Sequence, residues 1–280
     1  METISTQDSI KNVQTSLSRQ SSATVSQEVM LFNKNTGAPA GKTPLSTDAV
    51  IDVRSGKTLR EVLDYIKPAP ASDLYVDMGL PSGLMWARKN IDITQQNGFA
   101  ASEYQYECSF FSWGNIAGHN PVSNSAFDYN WGSGNDGPYA DTPGAALTGN
   151  IPPSYDAARA ACGAPWRMPL STEFQELFDN SDFIDADGNT IASSTTNKLT
   201  AVNGITGIRL KSKINGNVLF FPCAGYGSGT SWSNRGSYGY YWSSSLNSAT
   251  YGRTLNFGSG GVGPQYGNYR FYGFAVRAVQ

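Results

Sequence analysis

The chain has few of the residues from which catalytic and metal sites are built. Among 280 residues it has one histidine and three cysteines, and the cysteines are too far apart to form a Cys-x-x-Cys pair. Zinc ribbons and dithiol redox motifs need such pairs, so both are excluded. His119 has no cysteine or acid clustered around it, and we predict no catalytic residue, no metal ligand and no cofactor. The cysteines fit one disulfide with a spare thiol, or three free thiols in a reducing cytosol.

Signals for export, membrane insertion and phosphate binding are also missing from the sequence. The first residues have no basic stretch followed by an apolar one, and no apolar run is long enough to span a bilayer. We therefore expect a protein that folds in a cytoplasm and is not inserted in a membrane. No Gly-x-x-x-x-Gly-Lys-Ser/Thr loop is present and Lys and Arg form no cluster, so neither a nucleotide site nor a nucleic-acid partner is predicted.

Acidic residues and lysine are absent from the last 56 residues, which hold four arginines. Because the whole chain has a net charge of -2, the first 224 residues carry a net charge of -6. The sequence thus combines a weakly cationic C-terminal segment with an acidic body, which favours an anionic or glycan-bearing partner.

Tyrosine, serine, glycine and asparagine dominate the same C-terminal segment. Eight of the 15 tyrosines lie between Tyr226 and Tyr272. An antibody paratope has this composition, because tyrosine supplies rigid contact area and the small polar residues supply adaptable hydrogen bonds. Low-complexity disorder has a similar composition, but residues 255–257 and 274–279 alternate like half-buried strands. We interpret the segment as a folded binding surface.

The composition divides the chain into two parts. Residues 68–72 have the sequence Pro-Ala-Pro-Ala-Ser, which is typical of a linker. We therefore predict an N-terminal stem or attachment region over residues 1–72 and a larger domain over residues 73–280.

Two helices are predicted in the N-terminal region. Ile10, Val13 and Leu17 form a short apolar stripe at helical spacing, which a bundle of copies would bury. This stripe indicates an oligomeric stem, and a frayed tail is the alternative. Thr58 is predicted to cap a second helix, which Pro68 ends.

The larger domain has helix signals first and strand signals later. Residues 154–162 predict one helix, which Gly163 ends, and a second is predicted from about Ser171, which we expect to serve as its cap. Residues 74–78 and 84–87 predict a hairpin around the turn at residues 80–83. Residues 207–211 and 218–222 predict short strands, and long stretches have turn composition. This order predicts an α+β domain with two helices, short antiparallel strands and much irregular loop.

Four motifs resemble those of a known family. They lie at residues 77–87, 166–169, 241–245 and 273–279. Their sequences are Asp-Met-Gly-Leu-Pro-Ser-Gly-Leu-Met-Trp-Ala, Trp-Arg-Met-Pro, Tyr-Trp-Ser-Ser-Ser and Gly-Phe-Ala-Val-Arg-Ala-Val. The family has the C-type-lectin-like fold of the formylglycine-generating-enzyme and sulfatase-modifying type, in its Fibrobacter succinogenes major paralogous domain branch. The resemblance covers about residues 73–280 and implies a C-type-lectin-like ligand-binding domain.

The C-terminal segment resembles more closely the variable protein of a diversity-generating retroelement. Such systems copy a template with errors at adenines, so that asparagine codons become codons for tyrosine, serine, glycine and other residues. The resemblance implies a variable segment at about residues 225–273, with Tyr241 in its scaffold. The implied ligand-binding positions are Tyr226, Ser228, Ser233, Tyr238, Tyr240, Tyr251, Gly252, Thr254, Gly258, Gly261, Gly263, Tyr266, Gly267, Asn268, Tyr269, Phe271 and Tyr272.

The resemblance implies recognition without chemistry. We expect a phage tail-fibre receptor-binding protein, a homotrimer in the virion, which folds in the host cytoplasm and acts at the host cell surface. Its partners would be a host surface protein or glycan and, through the N-terminal region, other tail proteins. A bacterial surface adhesin or target-binding protein is the first alternative. A formylglycine-generating-type enzyme is the second, although Cys108, Cys162 and Cys223 do not map onto the cysteine pair of that family.

Overall fold

The chain forms two compact units, Met1–Ala71 and Ser72–Gln280. No helix in the described part of the chain is long and apolar enough to cross a membrane. The structure, a computed structural model, describes residues 28–32, 39–44, 50–52, 57–58, 73–132 and 149–280.

The described part of the N-terminal unit consists of two antiparallel strand pairs. β1 (Glu28–Phe32) pairs with β2 (Pro39–Pro44). β3 (Val50–Asp52) pairs with β4 (Lys57–Thr58). Each pair is a local hairpin, because its strands are neighbours in sequence.

Thr58, the predicted helix cap, lies at the end of β4 and pairs with Val50. The predicted helix that would follow it, the apolar stripe of residues 10–17 and the linker of residues 68–72 lie outside the described residues.

Thirteen strands and two α-helices make up the regular structure described in the larger unit. The helices are α1 (Ala157–Cys162), which follows a 3-10 turn at Pro153–Tyr155, and α2 (Ser171–Asp179). The strands are β5 (Tyr75–Asp77), β6 (Met85–Ala87), β7 (Phe110–Phe111), β8 (Ala126–Trp131), β9 (Ser181–Phe183), β10 (Leu199–Val202), β11 (Ile205–Ser212), β12 (Val218–Pro222), β13 (Tyr226–Ser233), β14 (Gly239–Leu246), β15 (Tyr251–Gly258), β16 (Gly261–Tyr269) and β17 (Phe274–Ala275).

The strands form four separate sheets in this unit. The largest has five strands in the order β16-β15-β14-β17-β7, and its β14–β17 pair is parallel. A four-stranded sheet joins β10, β11 and β12, with β9 also paired to β11. The pairs β13–β8 and β5–β6 stand alone. The β5–β6 hairpin and the strands β11 and β12 lie where the sequence predicts them.

The predicted fold class is wrong. The described residues are mostly β, in several sheets, and α1 and α2 contain only six and nine residues. They do not clearly form the α+β, C-type-lectin-like domain that the motifs implied. The difference arises in the glycine- and serine-rich segment, which has the composition of turns yet pairs strand against strand in β14, β15 and β16. Pairing with neighbouring strands outweighs the weak intrinsic preference of these residues.

Both helices of the larger unit are present near their predicted positions. Gly163 ends α1 with a φ of 75°, the left-handed conformation that glycine adopts without strain. α2 begins at Ser171, but Leu170 rather than Ser171 occupies the capping position. The Leu170 N–H donates to the Glu173 carboxylate at 2.7 Å. Arg167 also donates to both oxygens of Glu173, at 2.6 and 2.8 Å, which ties the Trp-Arg-Met-Pro motif to the first turn.

Buried side chains cover both faces of the five-stranded sheet. Tyr241, Leu255 and Phe257 belong to one hydrophobic cluster, whereas Trp242 and Phe274 belong to another. Because side chains alternate along a strand, the neighbours Tyr241 and Trp242 reach opposite faces. The sheet is therefore an inner layer, and Tyr226, Tyr240 and Tyr272 pack on the second cluster.

The last residues of the chain lie inside the core. Val279 bridges to both Trp86 and Arg167 through the backbone. Arg277 is fully buried, and its Nε donates to Asn90 Oδ1 at 2.9 Å. The C-terminal motif of residues 273–279 is therefore part of the core.

Candidate ligand-binding surface

Strand pairing gathers the predicted variable tyrosines on the last strands of the chain. In the β15–β16 hairpin, Tyr251 stands opposite Tyr269 and Thr254 opposite Tyr266. A parallel bridge between Gly225 and Gly239 sets the start of β13 beside the start of β14. Residues that are up to several dozen positions apart in sequence therefore become neighbours.

The aromatic side chains among these residues form one continuous group. We call it the aromatic surface, and it consists of Tyr226, Tyr238, Tyr240, Tyr251, Tyr266, Tyr269, Phe271 and Tyr272. Seven of these rings are linked by ring contacts. The eighth, Tyr266, lies on β16 opposite Thr254.

The ring contacts run from one side of the aromatic surface to the other. The centroid of Tyr240 lies 6.1 Å from that of Tyr238 and 5.0 Å from that of Tyr226. Tyr226 in turn lies 5.3 Å from Tyr272, which lies 5.9 Å from Tyr269. Tyr269 finally packs on Tyr251 at 4.7 Å and on Phe271 at 5.1 Å. Edge-to-face and stacked pairs at these distances stabilise each other, so the rings are held before any ligand arrives.

Phe274 supports the centre of the aromatic surface. Its ring stacks on Trp242 at 4.4 Å and on Tyr240 at 5.1 Å. It also lies 6.0 Å from both Tyr226 and Tyr272. Phe274 and Trp242 are almost fully buried, so the surface continues directly into the core.

Exposure differs between the members of the aromatic surface. Tyr266 is 57% exposed, Tyr269 39% and Tyr238 36%, whereas the other five are half-buried. Burial raises the pKa of Tyr240, and the neighbouring Tyr226 raises it further, although a hydrogen bond with Asn234 lowers it. The Tyr240 hydroxyl therefore keeps its proton, and every tyrosine hydroxyl of the surface can both donate and accept hydrogen bonds.

Tyr241 is part of the scaffold, as predicted. Its side chain is fully buried, and its hydroxyl donates to the Pro222 carbonyl at 2.6 Å. Asn90 Nδ2 donates to the same hydroxyl at 3.4 Å. Burial raises the pKa of Tyr241 well above its usual value. Of the eight C-terminal tyrosines, this one is inaccessible to a ligand.

Three of the predicted ligand-binding positions lie below the surface. Thr254 is fully buried, and Gly252 and Gly258 are buried as well. A Cβ atom at Gly252 would lie 2.5 Å from the Trp113 ring, and one at Gly258 would lie 2.5 Å from the Tyr238 ring. Residue size is not free at these positions, contrary to the sequence-based expectation, and they cannot contact a ligand in this structure.

The other predicted positions are at least partly exposed. Asn268 Nδ2 donates to Thr254 Oγ1 at 3.1 Å, which fixes its amide at the edge of β16. A Cβ atom at Gly263 would come no closer than 3.8 Å to any other atom, so larger residues fit there. The partly exposed positions outside the aromatic surface are Ser228, Ser233, Gly261, Gly263, Gly267 and Asn268.

Trp131 supports the aromatic surface from below, a role that was not predicted from the sequence. A Cβ atom would lie 2.3 Å from the Trp131 indole at Gly227 and 2.5 Å from it at Gly273. Trp131 is itself buried, so its ring lies against the backbone beside Tyr226 and Tyr272. Gly227 and Gly273 flank Tyr226 and Tyr272 in the sequence and could have indicated that a ring packs against the backbone there. In the sequence, however, they look the same as the glycines at predicted variable positions.

His119 packs within an aromatic group. Its ring stacks on Tyr129 at 3.7 Å, and burial lowers its pKa while Asp128 raises it. In the ranges that the structure describes, no group of three or more His, Cys, Asp or Glu side chains could hold a metal ion.

The cysteines are free thiols with little nucleophilic character. Cys108 and Cys223 are buried and Cys162 is half-buried. Burial raises the pKa of Cys162 and Cys223 to about 12, and that of Cys108 rises further still. The thiolate is the reactive form of cysteine, so these side chains are poorly suited to attack a substrate at neutral pH.

Comparison with known proteins yields one partial similarity. The family model of a domain of unknown function, DUF8237, matches residues 192–279. This stretch contains β10 to β17 and the whole aromatic surface. No match was found among curated proteins, and none among solved structures.

Proposed function

We propose that this chain is a receptor-binding protein of a phage tail fibre, and that the aromatic surface binds a ligand on the host cell. The observation that carries the proposal is the clustering of the predicted variable residues. Six of the seven tyrosines predicted from the sequence, together with Phe271, come together in one connected and partly exposed group, and the seventh, Tyr266, is exposed on β16. A binding surface needs such a cluster, whereas residues varied at random for other reasons would be scattered.

The physical character of the surface suits recognition. Each tyrosine combines a large apolar face with a hydroxyl group and has only two side-chain torsions to order. The half-buried rings are already packed on Phe274 and on each other, so a ligand would order few side chains. Affinity then comes from burying the exposed rings, chiefly Tyr238, Tyr266 and Tyr269. Buried aromatic residues of this kind dominate the energy of many protein interfaces.

In the proposal, diversity at the surface arises from a retroelement that rewrites adenines in the gene. The structure restricts where such changes are tolerated, since Gly252, Thr254 and Gly258 are packed inside. The tolerant positions are the rings of the aromatic surface and open sites such as Gly263. Sequencing the locus tests this part: we expect a near-copy of the codons for residues 225–273, with adenines at the variable positions, beside a reverse transcriptase gene. A locus without either would contradict the retroelement origin.

The N-terminal unit would join the chain to other tail proteins and hold three copies together. Three surfaces on one fibre would add avidity to a weak single contact, because each further binding event is intramolecular. Analytical ultracentrifugation of the full chain should give three times the mass of 30.1 kDa. A monomer at micromolar concentration would contradict the trimer but not the binding surface.

The binding surface is tested by returning three exposed tyrosines and the half-buried Tyr240 to asparagine. We expect the variant with Tyr238, Tyr240, Tyr266 and Tyr269 all replaced by Asn to fold cooperatively and to lose binding to host cells. Loss of one central aromatic residue costs ~1–4 kcal/mol of binding energy, so four together should lower the affinity at least about 100-fold. Binding is measured by flow cytometry with labelled full chain and cells of the phage's host range.

A matched control distinguishes binding through the aromatic surface from nonspecific hydrophobic adsorption. Ile214 and Val122 are also exposed, at 55% and 64%, but lie outside the aromatic surface. Replacing both with Asn should leave binding within about twofold of the unmodified protein. Equal loss in both variants, or retained binding in the quadruple variant, would refute the assignment of the surface.

A further inference from the structure

A cavity of about 210 Å³ lies in the larger unit, and none of its lining residues belongs to the aromatic surface. Its walls come from residues 150–153, the first turn of α1 with its cap, residues 167–170 and Ser244 of β14. A cavity of about 150 Å³ holds benzene in an engineered protein, so this one has room for a small organic ligand.

One wall of the cavity is apolar and rigid. Ile151 and Met168, which are 6% and 2% exposed, form it together with the half-buried Leu170. The Ile151 N–H donates to the Ser244 carbonyl at 2.7 Å, and the Ser244 N–H donates to the Pro169 carbonyl at 2.7 Å. Because the main chain fixes this wall, the cavity is formed before a ligand enters. An apolar group that enters it leaves water, which favours binding.

Two of the three charged residues that line the cavity are already paired. The carboxylate of Asp156 accepts from the Arg159 N–H at 2.9 Å and from the Met168 N–H at 2.9 and 3.1 Å. Burial raises the pKa of Asp156, whereas these backbone hydrogen bonds lower it. Arg167 donates from Nη1 and Nη2 to the two carboxylate oxygens of Glu173, at 2.8 and 2.6 Å. Groups of the protein itself therefore take up both charges.

Arg159 is the third charged residue, and its side chain is unpaired. It is half-buried, and within the described ranges its guanidinium makes no hydrogen bond or ion pair. Its Nε is enclosed without a partner, whereas Nη1 and Nη2 are not enclosed in this way and can meet a ligand. These two groups share one end of the guanidinium, which matches the geometry of a carboxylate. The exposed Asn150 also lines the cavity and adds an amide donor.

We propose that the cavity binds a small carboxylic acid with a short apolar tail, and that Arg159 holds its carboxylate. The tail lies against Ile151 and Met168, where it is removed from water. One negative charge fits better than two, because Asp156 lines the same cavity and would repel a phosphate dianion. The cavity is separate from the aromatic surface, so this inference goes beyond the proposed function and does not depend on it.

The probe is isovalerate, which joins a carboxylate to a short branched tail. Titrated into the full chain, it should shift the methyl resonances of Met168 and Ile151 saturably. We expect a dissociation constant in the millimolar range, as suits so small a ligand. The neutral isovaleramide has the same shape but no charge, so it should bind at least about tenfold more weakly.

The matching change in the protein is Arg159→Gln. The guanidinium has no partner within the described ranges and the main-chain bond to Asp156 is kept, so this variant should fold normally. Its dissociation constant for isovalerate should rise at least about tenfold, while that for isovaleramide should change less than about twofold. Lys211→Gln removes a positive charge at an exposed position outside the cavity and should leave both constants within about twofold.

Two results would overturn the inference. If isovalerate causes no saturable methyl shift, the cavity takes no ligand of this class. If isovalerate and isovaleramide bind equally well, or Arg159→Gln binds isovalerate as tightly as the unmodified protein, the cavity does not recognise a carboxylate. None of these measurements uses host cells, so a failure here is distinguishable from a failure of the proposed receptor binding.

Discussion

Returning Gly252 to asparagine should destabilise the protein, although the sequence pattern marks this position as exchangeable. A Cβ atom at Gly252 would lie 2.5 Å from Trp113 Cδ1, 2.7 Å from Cγ and 2.9 Å from Nε1. The Trp113 ring cannot move aside easily, because it is fully buried and its Nε1 donates to the Ser243 carbonyl at 2.9 Å. The strain must therefore be spread over β15 and the cluster beneath it.

The magnitude follows from the cost of overpacking a core. Inserting atoms into a filled space costs ~1–3 kcal/mol, and the amide group of asparagine adds a buried polar group that needs a partner. For a domain of about 200 residues each kcal/mol lowers the melting temperature by about 2–4 °C. We expect Gly252→Asn to lower the melting temperature by roughly 2–12 °C.

Gly263→Asn is the matched control for this experiment. Gly263 lies in the neighbouring strand, and a Cβ atom there would come no closer than 3.8 Å to any atom. Its melting temperature, measured by near-ultraviolet circular dichroism and calorimetry on the full chain, should stay within about 2 °C of the unmodified protein. Equal stability of the two variants would refute the placement of Trp113 against Gly252. It would also refute the distinction between glycines that a buried ring encloses, such as Gly252, and glycines with open space around them, such as Gly263.

Two further predictions concern the scaffold and its ionisable groups. Tyr241→Phe removes the hydroxyl that is hydrogen-bonded to the Pro222 carbonyl and to Asn90. This variant should lower the free energy of unfolding, measured by urea denaturation, by ~1–2 kcal/mol and leave host binding unchanged. Loss of binding would instead place Tyr241 in the ligand site. The pKa of the thiols of Cys162 and Cys223 is raised to about 12 on folding, so the folded state holds these protons more tightly than the unfolded chain. Stability should therefore be complete below about pH 9 and fall as the pH rises toward 12, with a smaller fall in Cys223→Ala. Urea denaturation at pH 8 and pH 10.5 measures this, and equal stability at both values would contradict the burial of the thiols.

Local patterns predicted the helices and hairpins of the larger unit well. α2 is found where apolar residues recur at helical spacing, and α1 ends at the glycine expected to stop it. The β5–β6 hairpin follows its turn residues in the same way. These elements depend on interactions within a few residues, so a short window of sequence contains the information that decides them.

The fold class could not be predicted from the same kind of window. β13 to β16 are rich in glycine and serine, which have low strand propensity, and each is a strand because another strand lies beside it. Alternation also fails as a guide where both faces of a sheet are covered, as at Tyr241 and Trp242 in β14. The C-terminal motifs therefore suggested an architecture that the described residues do not have.

The sequence by itself determined that the C-terminal segment is acid-free and rich in tyrosine, the composition from which we predict a binding surface. Only the tertiary structure decided which of the predicted positions reach the protein surface. Gly252 is enclosed by Trp113, and Gly227 and Gly273 by Trp131, through contacts between residues far apart in the chain. Such contacts leave no local signal, because a glycine that allows a ring to approach and a glycine that varies freely are identical in sequence.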